Sequence, residues 1–92
     1  MQIIWSKSAE KDLDSILEYF KDKGEEDVGL KIITQLLNST SRLEKFPHSG
    51  RQSVLPQRRE LVIPDLPYFL LYRISTQVRI IRVIHTSKLW RG

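Results

Sequence analysis

Tyr68-Phe69-Leu70-Leu71-Tyr72-Arg73-Ile74 and Val78-Arg79-Ile80-Ile81-Arg82-Val83-Ile84-His85 are two apolar stretches joined only by Ser75-Thr76-Gln77. So short a link makes them antiparallel neighbours in a sheet. Side chains alternate across a strand, which places Val78, Ile80, Arg82 and Ile84 on one face and Arg79, Ile81, Val83 and His85 on the other. Both faces are largely apolar, so the pair cannot stand alone in water. Something must cover it, and the first half of the chain offers two helices, enough for one face.

The first helix follows a short strand, Ile3 to Trp5, expected at a sheet edge. Ser6 or Ser8 can cap it by accepting a hydrogen bond from a free backbone N–H. Glu10, Asp12 and Asp14 fall in its early turns, where the helix dipole favours anions. Asp12 and Asp14 are two apart and diverge, which suits helix-start anions better than an acid/base pair. Ala9, Leu13, Ile16, Leu17 and Phe20 form one apolar stripe, Lys21 and Lys23 suit the far end, and Gly24 suits a C-terminal stop.

A second helix begins near residues 25–27, with Leu30, Ile33, Leu37, Thr40 and Leu43 as its stripe and Ile32 and Leu36 widening it. Phe46 precedes Pro47, and a residue before proline is pushed out of helical geometry, so the helix ends near Lys45. The short link between the helices predicts an antiparallel hairpin. Pro47 to Gln57 reads as a loop, and a further strand is expected from about Arg58 to Ile63. The pattern predicts a single α+β domain spanning residues 1–92, a two-helix hairpin packed on a small twisted antiparallel sheet.

Charge is divided unevenly. Residues 1–46 carry seven Lys/Arg and nine Asp/Glu, a balance of −2, and residues 47–92 carry eight and two, a balance of +6, which together give the net +4. A basic half suits an acidic partner or a nucleic acid, or else a solvated face. There are no cysteines and two histidines, too few ligands for a zinc site, and no glycine-rich phosphate cradle. No cofactor and no metal are expected. No membrane span or signal segment is visible, so the expected location is the cytoplasm, without a membrane partner.

His85 is the residue suited to proton transfer near neutral pH. With Lys88, Arg82 and Arg59 it could cleave RNA: a base takes the proton of a 2′-hydroxyl, and cations stabilise the charged transition state. The alternative is a strand-end His bonded to a neighbouring carbonyl. Arg58, Arg59 and Arg73 can equally be solvated cations that blunt a sheet edge, and Trp90 either caps the core or contacts a partner. Apolar strands covered on one side leave a face that marks a partner site, with Tyr19 as an anchor beside it.

Four short motifs occur in a fixed order: Trp5-Ser6-Lys7-Ser8-Ala9-Glu10-Lys11-Asp12-Leu13; Phe46-Pro47-His48-Ser49-Gly50-Arg51; Arg59-Glu60-Leu61 leading to Tyr68-Phe69-Leu70-Leu71-Tyr72-Arg73; and Ile81-Arg82-Val83-Ile84-His85-Thr86-Ser87. Together they resemble the RelE/ParE toxins of type II toxin–antitoxin modules, closest to the ParE branch. The resemblance implies growth arrest by binding and inhibiting DNA gyrase, with no hydrolytic site. It also implies plasmid or locus maintenance. The alternative is the RelE branch, a ribosome-dependent messenger-RNA endonuclease with His85, Lys88, Arg82 and Arg59 at its site. RelE-type positions that would be cationic resemble Glu60, Val62 and Phe69 here, and no C-terminal extension carries a Tyr. The implied partners are DNA gyrase and a small, acidic, partly disordered, DNA-binding antitoxin, while sequence-specific DNA binding by this chain is not implied. Arg82, His85, Lys88 and Trp90 are the expected target-contact rim, Arg58 and Arg59 a second patch, and Tyr19, Ile80 and Tyr72 the antitoxin contacts.

Overall fold

The computed structural model describes residues 1–87. The elements run β1 (Ile3–Trp5), α1 (Lys7–Asp22), α2 (Glu26–Ser39), α3 (Ser41–Lys45), a 3-10 turn (Pro47–Ser49), β2 (Arg51–Gln52), β3 (Arg59–Val62), β4 (Tyr68–Ile74) and β5 (Val78–His85). The strands form one sheet in the order β1-β5-β4-β3-β2. β3 to β5 pair antiparallel as expected and β2 adds a further antiparallel strand, but β1 runs parallel to β5, so the sheet is mixed. The helices and three strands between β1 and β5 give the long connection that a parallel pair requires.

Ser6 is the cap of α1, its hydroxyl accepting from the Ala9 N–H at 3.0 Å. The helix ends in a Schellman motif, with the Glu25 N–H on the Phe20 carbonyl (2.8 Å) and the Gly24 N–H on the Lys21 carbonyl (3.0 Å). Gly24 supplies the left-handed residue this requires, at φ 72°.

The inward stripe of α2 is turned from the expected one. Gly29, Leu36 and Thr40 are buried, whereas Leu30 and Leu37 are 48% and 45% exposed. Gly29 explains the turn. A Cβ there would lie 3.1 Å from the Phe20 Cβ and 3.3 Å from Leu17 Cδ1, so the position without a side chain lets α2 sit close against α1. The second helix is also broken at Thr40. Ser39, Thr40 and Ser41 each turn their hydroxyl back onto the carbonyl three residues earlier, at 2.7, 2.7 and 2.6 Å. Three consecutive competitors for helical carbonyls interrupt the ladder.

The stretch expected as an irregular loop contains the 3-10 turn and β2, whose Arg51 lies opposite Glu60 and forms an ion pair with it at 2.9 Å. On the helix side of the sheet the core is built from Ala9, Ile16, Leu36, Leu43, Leu61, Ile63, Leu70, Tyr72, Val78, Ile80 and Val83. A smaller cluster of Phe69, Leu71 and Ile84, with Leu55 and Ile81 against it, forms on the other face.

One irregularity rearranges β5. Tyr72 pairs with Ile80 and Leu71 with Arg82, so Ile81 is an extra residue. Such a bulge resets the alternation of side chains. Val78 and Ile80 face the helices before it and Val83 after it, while Ile81 and Ile84 join the opposite cluster. The strict alternation read from the sequence therefore fails from Ile81 onward. Among the described residues no helix is long and apolar enough to cross a membrane.

Candidate functional site

β1 is shorter than β5 and leaves the later part of that edge unpaired. The start of α1 closes it. The Ser6 hydroxyl donates to the Ile81 carbonyl at 2.8 Å, and Asp12 Oδ2 accepts the Val83 N–H at 2.8 Å. Arg82, displaced by the bulge, forks onto the same carboxylate with Nε at 2.8 Å and a terminal nitrogen at 3.0 Å. Hydrogen bonding to Asp12 raises the Arg82 pKa, and the carboxylate's charge adds to it against partial desolvation. Arg82 is thus a surface cation with its fork occupied, its side chain 42% exposed. Asp12 is the residue that sequence reasoning undervalued. The signal was its place two residues from Asp14 but beside the apolar stripe, on the flank that meets the sheet.

His85 ends β5 opposite Tyr68, and the two rings meet edge to face at 5.2 Å. Its Nδ1 accepts from the Ser87 N–H at 3.1 Å and lies 2.6 Å from the Ser87 hydroxyl. The local partner is therefore a donor, not the carbonyl expected of a bland strand-end His, and it leaves Nε2 as the protonated nitrogen of the neutral ring. Arg59 is not brought to this ring. It pairs with Tyr72, four residues along β4 from Tyr68, a separation of about 13 Å. Lys88 and Trp90 lie outside the described residues.

Arg58 and Arg59 belong to a groove of about 510 Å³ at the opposite end of the sheet, lined also by His48, Leu55, Arg73 and Ile74. Arg59 donates to the Gly50 carbonyl at 2.8 Å and Arg58 to the Pro56 carbonyl at 2.9 Å, so both are held by loop backbone. Beneath them the Tyr72 hydroxyl donates to the Pro47 carbonyl (2.7 Å) and accepts from the Gly50 N–H (2.9 Å). Burial pushes the Tyr72 phenol above its ordinary value, while the Gly50 N–H and the Arg59 charge pull it partly back.

Tyr72 and Ile80, expected as antitoxin contacts, are both 0% exposed. They point toward the helices and form the core, so neither presents a side chain to a partner. Tyr19 differs: it is 54% exposed, with Lys23 Nζ 4.5 Å from its ring centre and Phe20 edge-on at 5.1 Å. The Tyr19 hydrogen bond and charge raise the Lys23 pKa. Tyr19 borders a mainly apolar groove of about 660 Å³ between α1 and the β3–β4 turn, lined also by Phe20, Ile32, Pro67, Tyr68 and His85. Among the described residues no group of three His, Cys, Asp or Glu could hold a metal ion.

The family model described as "ParE toxin of type II toxin-antitoxin system, parDE" matches residues 3–90. A Sinorhizobium fredii (strain NBRC 101917 / NGR234) protein named "Putative toxin Y4kP" is 34% identical over 89 residues, 97% of this chain and 92% of that protein. A solved structure titled "Chromosomal ParDE TA system from P. aeruginosa" superposes with a TM-score of 0.83 at 23% identity, covering 92% of this chain and 95% of that one. That likeness is one of fold.

Proposed function

Because the chain belongs to the ParE toxin family of type II toxin–antitoxin systems, we propose that it arrests growth by binding DNA gyrase and blocking replication, until a cognate antitoxin covers it. The observation that carries this reading is the separation of its would-be catalytic groups. A ribonuclease of the RelE kind needs a base and free cations around one phosphate. Here Arg59 is about 13 Å along β4 from the partner of His85, and the Arg82 fork is committed to Asp12. That arrangement suits a contact surface better than a catalytic centre. Arg82, His85, Lys88 and Trp90 are the proposed gyrase contacts, acting in the cytoplasm and serving plasmid or locus maintenance.

The antitoxin is a small, acidic, DNA-binding protein whose partly disordered segment folds onto the toxin. Its proposed dock is the apolar groove beside Tyr19. An amphipathic helix laying its apolar face there would bury Tyr19 and Phe20.

Supercoiling by purified gyrase, with increasing toxin, tests the proposal. Inhibition relieved by stoichiometric antitoxin is the expected result. Primer extension on messages from induced cells tests the alternative. Discrete cuts at ribosomal A-site codons, lost in His85→Ala, would replace the gyrase reading with the endonuclease.

A further inference from the structure

Arg73 and Arg79 are directly paired residues of β4 and β5, and both are exposed. Like charges placed opposite each other on a sheet repel. Arg73 also lines the groove that holds Arg58, Arg59 and His48. Four guanidinium groups therefore gather at one end of the sheet. Among the described residues the ion pairs are Arg51–Glu60 and Arg82–Asp12, so none of these four arginines has a carboxylate in contact. The second half of the chain has only two acidic residues to offer. Glu60 is taken by Arg51, and Asp65 lies in the turn at the other end of β3.

The groove has a second property. Its lining includes Val54, Leu55, Pro56 and Ile74 but no Phe, Tyr or Trp. Single-stranded nucleic acid is held mainly by stacking bases on aromatic rings. With three arginines in its lining, Arg79 beside it through the pairing with Arg73, and His48 as the one aromatic side chain among its described lining residues, the groove offers more grip on phosphates than on bases. Guanidinium is the side chain best matched to phosphate oxygens. Arg58 and Arg59 are also held in place by the Pro56 and Gly50 carbonyls, which lowers the entropic cost of presenting them.

We propose that the groove formed by Arg58, Arg59, Arg73 and the neighbouring Arg79 is a sequence-independent site for the phosphate backbone of duplex DNA. It is separate from the β5 rim and does not depend on the gyrase assignment. Contacts to phosphate position a protein on DNA without reading its sequence. The site would hold the toxin against the duplex while another surface acts.

The test measures binding of the purified full-length chain to a fluorescein-labelled duplex of about 20 base pairs by anisotropy, from 50 to 200 mM salt. Four neutralised phosphates, one for each arginine, give a slope of log affinity against log salt near −3.6, a loss of roughly 150-fold across that range. Arg73→Ala and Arg79→Ala are each expected to reduce the slope by about 1, and Arg73→Lys to retain it. Lys11→Ala/Lys31→Ala removes as much charge from the exposed faces of α1 and α2 as Arg73→Ala/Arg79→Ala removes from the sheet. It is expected to bind like the parent. Absence of binding at 50 mM salt overturns the site. Equal losses in the two double variants would show diffuse attraction only and also overturn it. Tighter binding of a single-stranded oligonucleotide, or displacement of the duplex by polyglutamate of equal charge, overturns the assignment to duplex phosphate.

Discussion

Asp12 accepts two hydrogen bonds from the fork of Arg82 and a third from the backbone N–H of Val83. One carboxylate on α1 thus finishes the open edge of β5 and holds the bulged residue. Asp12→Asn keeps an acceptor for Val83 but loses the charge, and is expected to cost about 1–2 kcal/mol. Asp12→Ala strands the Val83 N–H as well and should cost about 2–3 kcal/mol. Urea denaturation of the two variants beside the parent checks the order.

The same pair separates structural from contact roles for Arg82. If Arg82 touches gyrase, Arg82→Ala lowers supercoiling inhibition by more than Asp12→Asn does at matched folded fraction, on the order of 10-fold for a contact worth about 1.4 kcal/mol. Parallel losses in the two variants would reduce Arg82 to a brace for the strand. Circular dichroism at the assay temperature supplies the folded fractions.

Tyr72 and Gly50 make a second lock. A Cβ on Gly50 would sit 2.6 Å from the Tyr72 hydroxyl oxygen and 2.7 Å from the Glu60 carbonyl oxygen. Gly50→Ala must displace the tyrosine or the strand, at an expected cost of about 1–3 kcal/mol. Tyr72→Phe leaves the Pro47 carbonyl and Gly50 N–H unpaired, with a similar cost. Chemical denaturation of both variants is the measurement.

Alkali gives a further handle on that tyrosine. Its folded pKa is raised above the ordinary value of 10.0 by burial. Below the ordinary value the phenol is protonated whether folded or not, and its contribution is fully present. As pH rises through 10 the unfolded chain ionises first, so stability falls until the folded group also ionises. Thermal melts from pH 8 to 11 are expected to show this decline, and Tyr72→Phe should flatten it. Tyr68, whose pKa burial also raises, leaves a residual slope.

Tyr19→Ala is expected to weaken antitoxin binding by about 1–2 kcal/mol while leaving thermal stability nearly unchanged, because the ring is exposed. Isothermal titration with the antitoxin decides it. Unaltered affinity would move the dock away from the α1 groove.

The sequence made most of the architecture legible, because periodicity carries it. The apolar stripe of α1, the stop at Gly24 and the strands at Tyr68–Ile74 and Val78–His85 all occur as expected. What was not legible depended on pairing between distant residues. The bulge at Ile81 arises from register between β4 and β5, and a period-two reading of one strand cannot contain it. The turn of α2 follows from the fit of Gly29 against Leu17 and Phe20, a contact across the hairpin. For the same reason Tyr72 and Ile80 looked available to a partner: the pattern shows that a residue is apolar, not which face the helices take. The role of Asp12 needed the sheet edge to be in view.

The parallel pairing of β1 with β5 also governs timing. Ser6 bonds to Ile81, 75 residues later. A nascent chain emerging at roughly 5–20 residues per second holds its first strand without a partner until the last one has been made. A polypeptide stalled before Val78 lacks the strand that sits between β1 and β4, and so has nothing to join β1 to the rest of the sheet. Assembly of the sheet therefore waits until β5 has been made, and a copy interrupted before it keeps β1 apart from its partner strand.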